Sequence, residues 1–307
     1  MHSLVNGATM HATGLIRRLV GRRWLLAANC AQLPRCRCMA SSAASAAPEA
    51  PRAALVVIGD EILAGSVVDT NTPWLAKLLH SRGVDLIRVS YIPDSRSDIR
   101  EAVLDAVGRV GPGGFVFTSG GIGPTHDDVT YEAVAEALGV SLQLHEPTVE
   151  RMRVSYTARG LELNEARLRM ATLPTPSEVL FTPGLWVPLV AVGGVYVLPG
   201  IPRLFQAMIA AHQDRFTGVA FHSAALFTQL GESDLAQPLT AVAAKHPRVA
   251  IGSYPNTAAD ISASYKVKLA LSSRDPAALQ AAVADVRSGL GDIFIADPEE
   301  GLKQQQS

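Results

Sequence analysis

The amino-acid sequence predicts an α/β protein whose helices cover a mainly parallel sheet, followed by a small α+β module. Strand and helix signals alternate from Ala53 onward, which is the pattern of a layered domain with a parallel sheet. The first strand signal, 55–58, is a continuous apolar run, as expected for a strand buried on both faces. The chain has 307 residues, 48% of them hydrophobic and 18% charged, a composition typical of globular rather than disordered proteins.

The larger domain is predicted over 53–216. Thr72 followed by Pro73 predicts the start of its first helix, because a capping residue before proline is a common helix entry, and Gly83 ends it. Helical spacing of apolar residues and short apolar runs predict the other elements. The further helices are expected at 97–109, 130–139, 147–172 and 204–212, and the further strands at 84–92, 115–118, 179–181, 186–192 and 195–198.

The smaller module is predicted over 217–297, and residues 298–307 form a tail without structural signal. Its order is strand, helix, strand, strand, helix, at 224–230, 233–245, 249–254, 264–271 and 276–290. This order predicts a sheet with helices on one face.

Residues 1–48 have the composition of an organelle transit peptide. They contain no Asp or Glu, they end in a run of Ala and Ser, and they carry Arg17, Arg18, Arg22, Arg23, Arg35 and Arg37. This pattern predicts a mitochondrial location, with a plastid as the alternative. A disordered N-terminus is the competing interpretation. All three cysteines, Cys30, Cys36 and Cys38, lie in this segment, so thiol chemistry is not expected in the processed protein.

The charge balance argues against a nucleic-acid partner, and the distribution of apolar residues argues against a membrane span. The chain has 27 basic and 28 acidic residues, so no basic excess favours nucleic-acid binding. Without the six arginines of the leader, 21 basic residues remain against 28 acidic ones, a charge of −7. No stretch of about 18 apolar residues predicts a membrane span.

The strongest candidate site is the stretch T-S-G-G-I-G-P-T-H-D-D at 118–128, between a predicted buried strand and a helix. Glycines let backbone N–H groups approach a phosphate closely, and the following helix start adds free donors and a positive dipole end. The stretch matches neither the dinucleotide fingerprint nor the P-loop, so neither NAD nor a P-loop nucleotide site is predicted.

Acidic residues beside this stretch predict a divalent metal. Asp127 and Asp128 would repel a phosphate unless a cation lies between, and carboxylates favour Mg²⁺, Mn²⁺ or Co²⁺. Asp60, at the carboxyl end of the first strand, is expected to complete the shell. These three aspartates are the predicted catalytic and metal-binding residues. The alternatives are that Asp127 or Asp128 caps the helix at Thr130 and that Asp60 belongs to a turn.

Substrate contacts are expected from the same edge of the sheet, where open α/β sheets bind ligands. The Asp69, Thr70, Asn71 segment is interpreted either as helix caps or as ligand contacts, and the rigid loop 199–202 is expected to line the same cleft. His126 is a candidate proton carrier, although a surface-loop role is favoured. The predicted substrate-binding residues are Gly59, Glu61, Thr70, Asn71, Thr118, Ser119, Gly120, Gly121, Ile122, Gly123, Pro124, Thr125 and Gly200.

These motifs resemble the MoaB/Mog-type molybdopterin-binding family, in the branch of the CinA and eukaryotic FAD synthase N-terminal domains. The resemblance rests on four segments and continues to about residue 297: V-I-G-D-E-I-L-A-G at 57–65, D-T-N-T at 69–72, S-G-G-I-G-P-T-H-D-D-V-T at 119–130 and L-P-G-I-P at 198–202. It departs at Arg203, where relatives often carry an acid.

The resemblance implies a three-layer α/β/α domain with a ligand cleft at the glycine loop. It also implies metal-dependent hydrolysis of an adenine dinucleotide such as FAD or ADP-ribose, and a dimer or trimer by analogy. Two alternatives stay open: a non-catalytic module that binds a pterin or flavin nucleotide, and a molybdopterin adenylyltransferase. The sequence shows neither a nucleotide-transferring nor an amidase domain after 297, so FAD synthesis and nucleotide deamidation are not expected.

Overall fold

The computed structural model describes residues 50–256, 265–291 and the short strand at 294–295. The strands in this part of the chain are β1 (Arg52–Ile58), β2 (Asp85–Ile92), β3 (Phe115–Ser119), β4 (Ser141–Leu144), β5 (Thr172–Thr175), β6 (Glu178–Leu180), β7 (Leu189–Val192), β8 (Val195–Leu198), β9 (His222–Thr228), β10 (Ala250–Pro255), β11 (Val267–Ser273) and β12 (Phe294–Ile295). The α-helices are α1 (Asp60–Leu63), α2 (Asn71–Ser81), α3 (Arg96–Val110), α4 (Thr130–Leu138), α5 (Glu146–Thr157), α6 (Glu165–Leu168), α7 (Pro202–Ala211), α8 (Glu232–Lys245) and α9 (Pro276–Leu290).

A six-stranded sheet in the order β2-β1-β3-β8-β7-β6 forms the centre of the larger domain. Strands β2, β1, β3 and β8 are parallel, whereas β7 and β6 are antiparallel to their neighbours. The predicted α/β class with a mainly parallel sheet is confirmed. The carboxyl ends of β1, β2, β3 and β8 therefore meet at one edge. The β6–β7 connection lies at that same edge, because Val190 near the start of β7 pairs with Val197 near the end of β8.

Helices cover the central sheet, with α3 packed on α4 and α2 packed on α7. Strand β1 is buried along almost its whole length, which explains its continuous apolar run. Phe117 on β3 and Tyr196 on β8 stack with ring centroids 5.6 Å apart, and Phe216 packs edge-on against Phe117 at 4.9 Å. Burial of such side chains supplies most of the stabilisation of the core.

The smaller module has an antiparallel sheet in the order β10-β11-β9-β12, and α8 and α9 pack against each other and on this sheet. Its strand and helix order agrees with the prediction, with β12 in addition. Arg274 connects the module to the larger domain, since its guanidinium donates to the Gly83 carbonyl at 3.1 Å and to Asp85 at 3.0 Å. The described residues, from 50 onward, form one compact unit.

Two predicted elements were wrong in their limits. The helix predicted over 147–172 is broken: α5 ends at Thr157, and Thr172–Thr175 form β5, which pairs with β4. The strand predicted over 186–192 begins only at Leu189. Both errors have one physical reason, because short apolar segments take the structure that their tertiary partner offers and carry little periodicity themselves.

The predicted leader, 1–48, and the predicted tail, 298–307, lie outside the described residues and stay predictions. Among the helices described above, none combines the length and the apolar character that crossing a membrane requires.

Candidate functional site

A cavity of about 570 Å³ opens at the carboxyl edge of the central sheet. Its lining combines the glycine stretch, acidic side chains, the loop after β8 and a group of apolar side chains. The lining residues are Ile58, Glu61, Val67, Asp94, Gly120, Gly121, Ile122, Gly123, Pro124, Asp127, Asp128, Met170, Trp186, Val187, Pro199, Gly200, Ile201, Pro202 and Leu204. This volume lies within the usual range for small-molecule sites, about 300–1,000 Å³.

Glycine is required at two positions of the loop after β3. Gly120 has φ of 118° and a Cβ there would lie 2.1 Å from the Ile58 carbonyl oxygen. Gly121 has φ of 65° and a Cβ would lie 2.3 Å from Thr130 Oγ1. Thr130 closes the loop, since its hydroxyl donates to the Gly120 carbonyl at 3.0 Å and its N–H to the Gly121 carbonyl at 3.0 Å. The loop is thus held at its base by Ile58 and Thr130, as the predicted glycine bend requires.

Asp128 stabilises the glycine loop instead of capping a helix. The N-cap residue of α4 is Val129, and α4 has no side-chain cap, so the alternative interpretation of Asp128 as a cap was wrong. The Asp128 carboxylate accepts a hydrogen bond from the Thr125 N–H at 2.8 Å and another from the Thr125 hydroxyl. The cap is absent because the carboxylate turns back onto its own loop.

Arg169 binds the glycine loop through its guanidinium. Its guanidinium donates to the Thr125 carbonyl at 3.0 Å, to the Asp128 carbonyl at 3.2 Å and to the Glu132 carboxylate at 3.2 Å. A planar guanidinium can make these contacts at once because its donors are fixed in one plane. Arg169 was not among the predicted residues, since it comes from the short 3₁₀ helix Arg169–Ala171, distant in sequence.

Asn71 connects two loops at the sheet edge. It is buried, with 3% of its surface exposed, and its side-chain amide donates to Ser119 Oγ at 3.0 Å and to the Gly200 carbonyl at 2.9 Å. These two hydrogen bonds link the end of β3 to the loop after β8. Ser119 is itself buried.

Asp69 provides the cap that the sequence analysis assigned to Thr72. Its Oδ1 accepts from the N–H groups of Asn71 and Thr72, at 2.8 and 3.2 Å, and its Oδ2 from the Tyr91 hydroxyl at 2.9 Å. Burial alone would raise the pKa of Asp69, but the hydrogen bonds from Thr72, Tyr91 and Asn71 outweigh it and lower the pKa below 3.8. Thr70 occupies the N-cap position without a side-chain hydrogen bond and is exposed.

Four carboxylates line the cavity, those of Glu61, Asp94, Asp127 and Asp128. Asp94 follows β2 and accepts a hydrogen bond from the Asp60 N–H at 2.9 Å. Burial raises the pKa of Asp94, and the negative charges of neighbouring acids, Asp127 among them, raise it further. Polar groups near the Asp127 carboxylate, the Thr125 side chain first and its own backbone N–H second, lower the pKa of Asp127. The Asp60 side chain does not contribute to this lining; its N–H instead fixes Asp94.

The cavity lining contains no Lys, Arg or His among the residues that the structure describes. A phosphate there would meet backbone N–H groups and carboxylates only, so a cation is needed to offset the repulsion. The oxygen donors suit Mg²⁺ or a similar ion, which commonly takes one or two carboxylates and completes its shell with water and substrate phosphates. Within the described ranges, no three His, Cys, Asp or Glu side chains form a ready-made metal cluster.

Of the other predicted residues, only the loop after β8 is part of the cavity lining. Thr118 is fully buried within β3, and Gly59 donates its N–H to the Ile92 carbonyl at 3.2 Å. The His126 side chain is 98% exposed, which agrees with the surface-loop interpretation. The predicted loop 199–202 does line the cavity.

The structure adds several lining residues that the sequence analysis missed. Asp94 lies two residues after the end of β2, a predicted strand, so its place at the sheet edge is predictable on the same ground as that of Asp60. Trp186, Met170 and Leu204 carry no such signal, because apolar residues in short loops and helices are ordinarily core residues. Only the strand order shows that they reach the same edge as the glycine loop.

Fold and site together define an α/β protein with a glycine-bounded, acidic cavity at the carboxyl edge of its sheet. A family described as "Probable molybdopterin binding domain" matches residues 54–215, and the chain belongs to this family. A second family, "FAD synthase, middle domain", matches residues 220–299. The predicted resemblance is confirmed by both matches.

Two relatives found by sequence have names that agree with these families. A "Probable FAD synthase" from Caenorhabditis elegans is 33% identical over 281 residues, which cover 83% of this chain and 53% of the relative. A "CinA-like protein" from Anaeromyxobacter dehalogenans is 40% identical over 159 residues, which cover 50% of this chain and 38% of the relative. The chain thus spans about half, or less, of these two relatives. The crystal structure of CinA from Thermoplasma acidophilum is 31% identical, with a TM-score of 0.49, and covers 54% of this chain and 98% of that one.

Proposed function

We propose that the protein is a metal-dependent pyrophosphatase that hydrolyses an adenine dinucleotide such as FAD or ADP-ribose. The observation that carries the proposal is the cavity lining, which joins a glycine loop to four carboxylates and contains no basic side chain in the described part of the chain. Such a lining suits a diphosphate that arrives with a divalent cation, and suits a free anion poorly. The relatives support a nucleotide-related substrate.

The chain's own residues have separate roles in this proposal. Gly120 and Gly121 bring backbone close to the diphosphate, while Asp128 and Arg169 hold the loop in shape. Asp94 and Asp127 would hold the cation, with Glu61 beside them. The cation, when bound, supplies charge neutralisation and lowers the pKa of a water molecule. Water adds to one phosphorus and the bridging P–O bond breaks, so FAD would yield FMN and AMP.

A hydrolysis assay tests this proposal directly. The protein is incubated with FAD or ADP-ribose in Mg²⁺, Mn²⁺ or Co²⁺, and AMP release is measured with and without EDTA. We expect AMP release that EDTA abolishes and that Asp127→Asn lowers at least about 100-fold, because a metal ion contributes several kcal/mol to such reactions. Asp98→Asn, an exposed position on α3, is the matched control. Hydrolysis in EDTA at the full rate would contradict the metal dependence.

A second candidate function is a non-catalytic module that binds a flavin or pterin nucleotide. The family description "Probable molybdopterin binding domain", which matches residues 54–215, supports it. Calorimetric titration with FAD separates the two functions. Tight binding that EDTA leaves unchanged, with no AMP formed, would replace the pyrophosphatase by the binding module.

A further inference from the structure

The cavity has a chemically different side, opposite in sheet order to its acidic side. Glu61 and Asp94 follow β1 and β2, on one side of β3, whereas the lining residues that follow β6 and β8, on the other side of β3, carry no charge. Trp186 and Val187 come from the β6–β7 connection, Leu204 from α7 and Met170 from the 3₁₀ helix. We call Met170, Trp186, Val187 and Leu204 the apolar wall.

The side chains of the apolar wall pack against the rest of the protein. Met170 and Val187 are 7% and 6% exposed, so both are fixed by the core. Trp186 is half-buried and contacts two hydrophobic clusters, the central core and the cluster around Met152. The ring of Tyr156 packs against Trp186 at 5.9 Å, and the Arg167 guanidinium lies 4.7 Å from the Tyr156 ring centroid. A side chain held in this way loses little entropy on binding.

The apolar side of the cavity is unsuited to phosphates and suits an aromatic ring of the ligand. The lining beyond β3 has no charged side chain in the part of the chain described here, and it continues into Ile201, which is 58% exposed. An indole beside aliphatic side chains matches a planar heteroaromatic ring, which buries apolar area and stacks.

From this arrangement we infer that Trp186 and the apolar wall bind the heteroaromatic ring of the nucleotide and thereby select its class. The inference rests on the proposed function, which places the diphosphate at the glycine loop. The bound ring is either the flavin or the adenine, since both are planar heteroaromatic rings. Trp186 is then a specificity-determining residue.

Calorimetry with three probes, in the presence of Mg²⁺, tests the inference without turnover. FMN carries the flavin, AMP carries the adenine, and inorganic pyrophosphate carries no ring. We expect Trp186→Ala to weaken FMN or AMP binding about 10-fold, since stacking on an aromatic side chain contributes about 1–3 kcal/mol. The probe that responds identifies the ring. Pyrophosphate affinity should stay unchanged.

Three further variants separate stacking from folding. Trp186→Phe, which keeps an aromatic ring, should bind the nucleotide ring within about 3-fold of the parent protein. Trp186→Leu keeps an apolar side chain but no ring, so it should lose affinity as Trp186→Ala does. If Trp186→Ala does not fold, Trp186→Leu takes its place. Trp74→Phe is the control for loss of a tryptophan, since Trp74 packs on Phe205 at 6.4 Å. Unchanged affinity for both nucleotides in Trp186→Leu, or an equal loss for pyrophosphate, would overturn the inference. None of the three probes is a dinucleotide, so this binding test does not require hydrolysis. Its outcome can therefore be told apart from a failure of the proposed pyrophosphatase activity.

Discussion

The carboxylate of Asp94 accepts a hydrogen bond of 2.9 Å from the backbone N–H of Asp60. This contact joins the loop after β2 to the start of α1 and sets Asp94 in the cavity with Glu61 and Asp127. Burial and these neighbouring charges raise the pKa of Asp94. The fold thus keeps a carboxylate where it is costly for stability, which is common at functional sites.

Replacement of Asp94 by Asn should therefore separate function from stability. The amide oxygen still accepts from Asp60, but the charge that would hold a cation is lost, so AMP release should fall at least about 100-fold. Hydrolysis assays beside Asp98→Asn measure this loss. Undiminished turnover in Asp94→Asn would remove Asp94 from the mechanism.

The same variant should be more stable than the parent protein at neutral pH. Because the folded pKa of Asp94 lies above 3.8, the folded protein binds more protons than the unfolded chain between these two pKa values, and stability falls as pH rises through that window. Urea unfolding across pH should show the gain of Asp94→Asn shrink as pH falls toward 3.8. A gain that does not depend on pH would contradict this assignment.

Gly121→Ala should be more damaging than Gly139→Ala. The two glycines have nearly equal φ, 65° and 66°, but a Cβ at Gly121 would meet Thr130 Oγ1 at 2.3 Å, whereas nothing lies within 4 Å at Gly139. Backbone strain alone costs about 1–2 kcal/mol, and Gly121→Ala adds the clash. Urea unfolding compares the two, and pyrophosphate binding in Mg²⁺ should weaken only in Gly121→Ala. Equal stability of the two variants would show that the loop base is adaptable.

Arg169→Ala should weaken ligand binding more than it destabilises the fold. The guanidinium holds the Thr125 and Asp128 carbonyls, yet the side chain is 38% exposed, so solvent reduces its contribution to stability to about 1 kcal/mol. We expect pyrophosphate affinity to fall about 10-fold, and Arg169→Lys to recover it only partly because an ammonium lacks the planar fork. Arg159→Ala, at an exposed position after α5, serves as control. An affinity loss as large in Arg159→Ala would contradict a specific role for Arg169.

Asp69→Ala should destabilise the protein by about 1 kcal/mol at neutral pH, the usual cost of losing a helix cap. Since the folded pKa of Asp69 is below 3.8, its charged form stabilises the fold above 3.8, and this stabilisation is lost as pH falls through the folded pKa. The difference between the variant and the parent protein should therefore shrink in acid. Thermal or urea unfolding at both ends of this range measures it, with Tyr91→Phe removing one hydrogen bond alone. A constant difference would show that the charge of Asp69 contributes nothing.

Those parts of the site that depend on local chemistry were predictable from the sequence. Gly120 and Gly121 are recognisable because a bend with positive φ and close backbone contacts requires glycine wherever it occurs. Strand β1 is recognisable because burial on both faces requires an unbroken apolar run. The role of Asp128 was predictable only in part. The sequence placed its carboxylate beside the glycine bend, but the geometry of the loop decided that Thr125 is its partner.

The sequence by itself determined the α/β class, the family and the position of the glycine bend, because each is written in short-range patterns of residue type. Tertiary structure alone decided that Asp94, Arg169 and Trp186 converge on that bend. The physical reason is the strand order: β3 lies between β1 and β8, so loops as far apart in sequence as those after β1 and β8 reach one edge of the sheet. A local pattern carries no information about which edge a distant loop reaches.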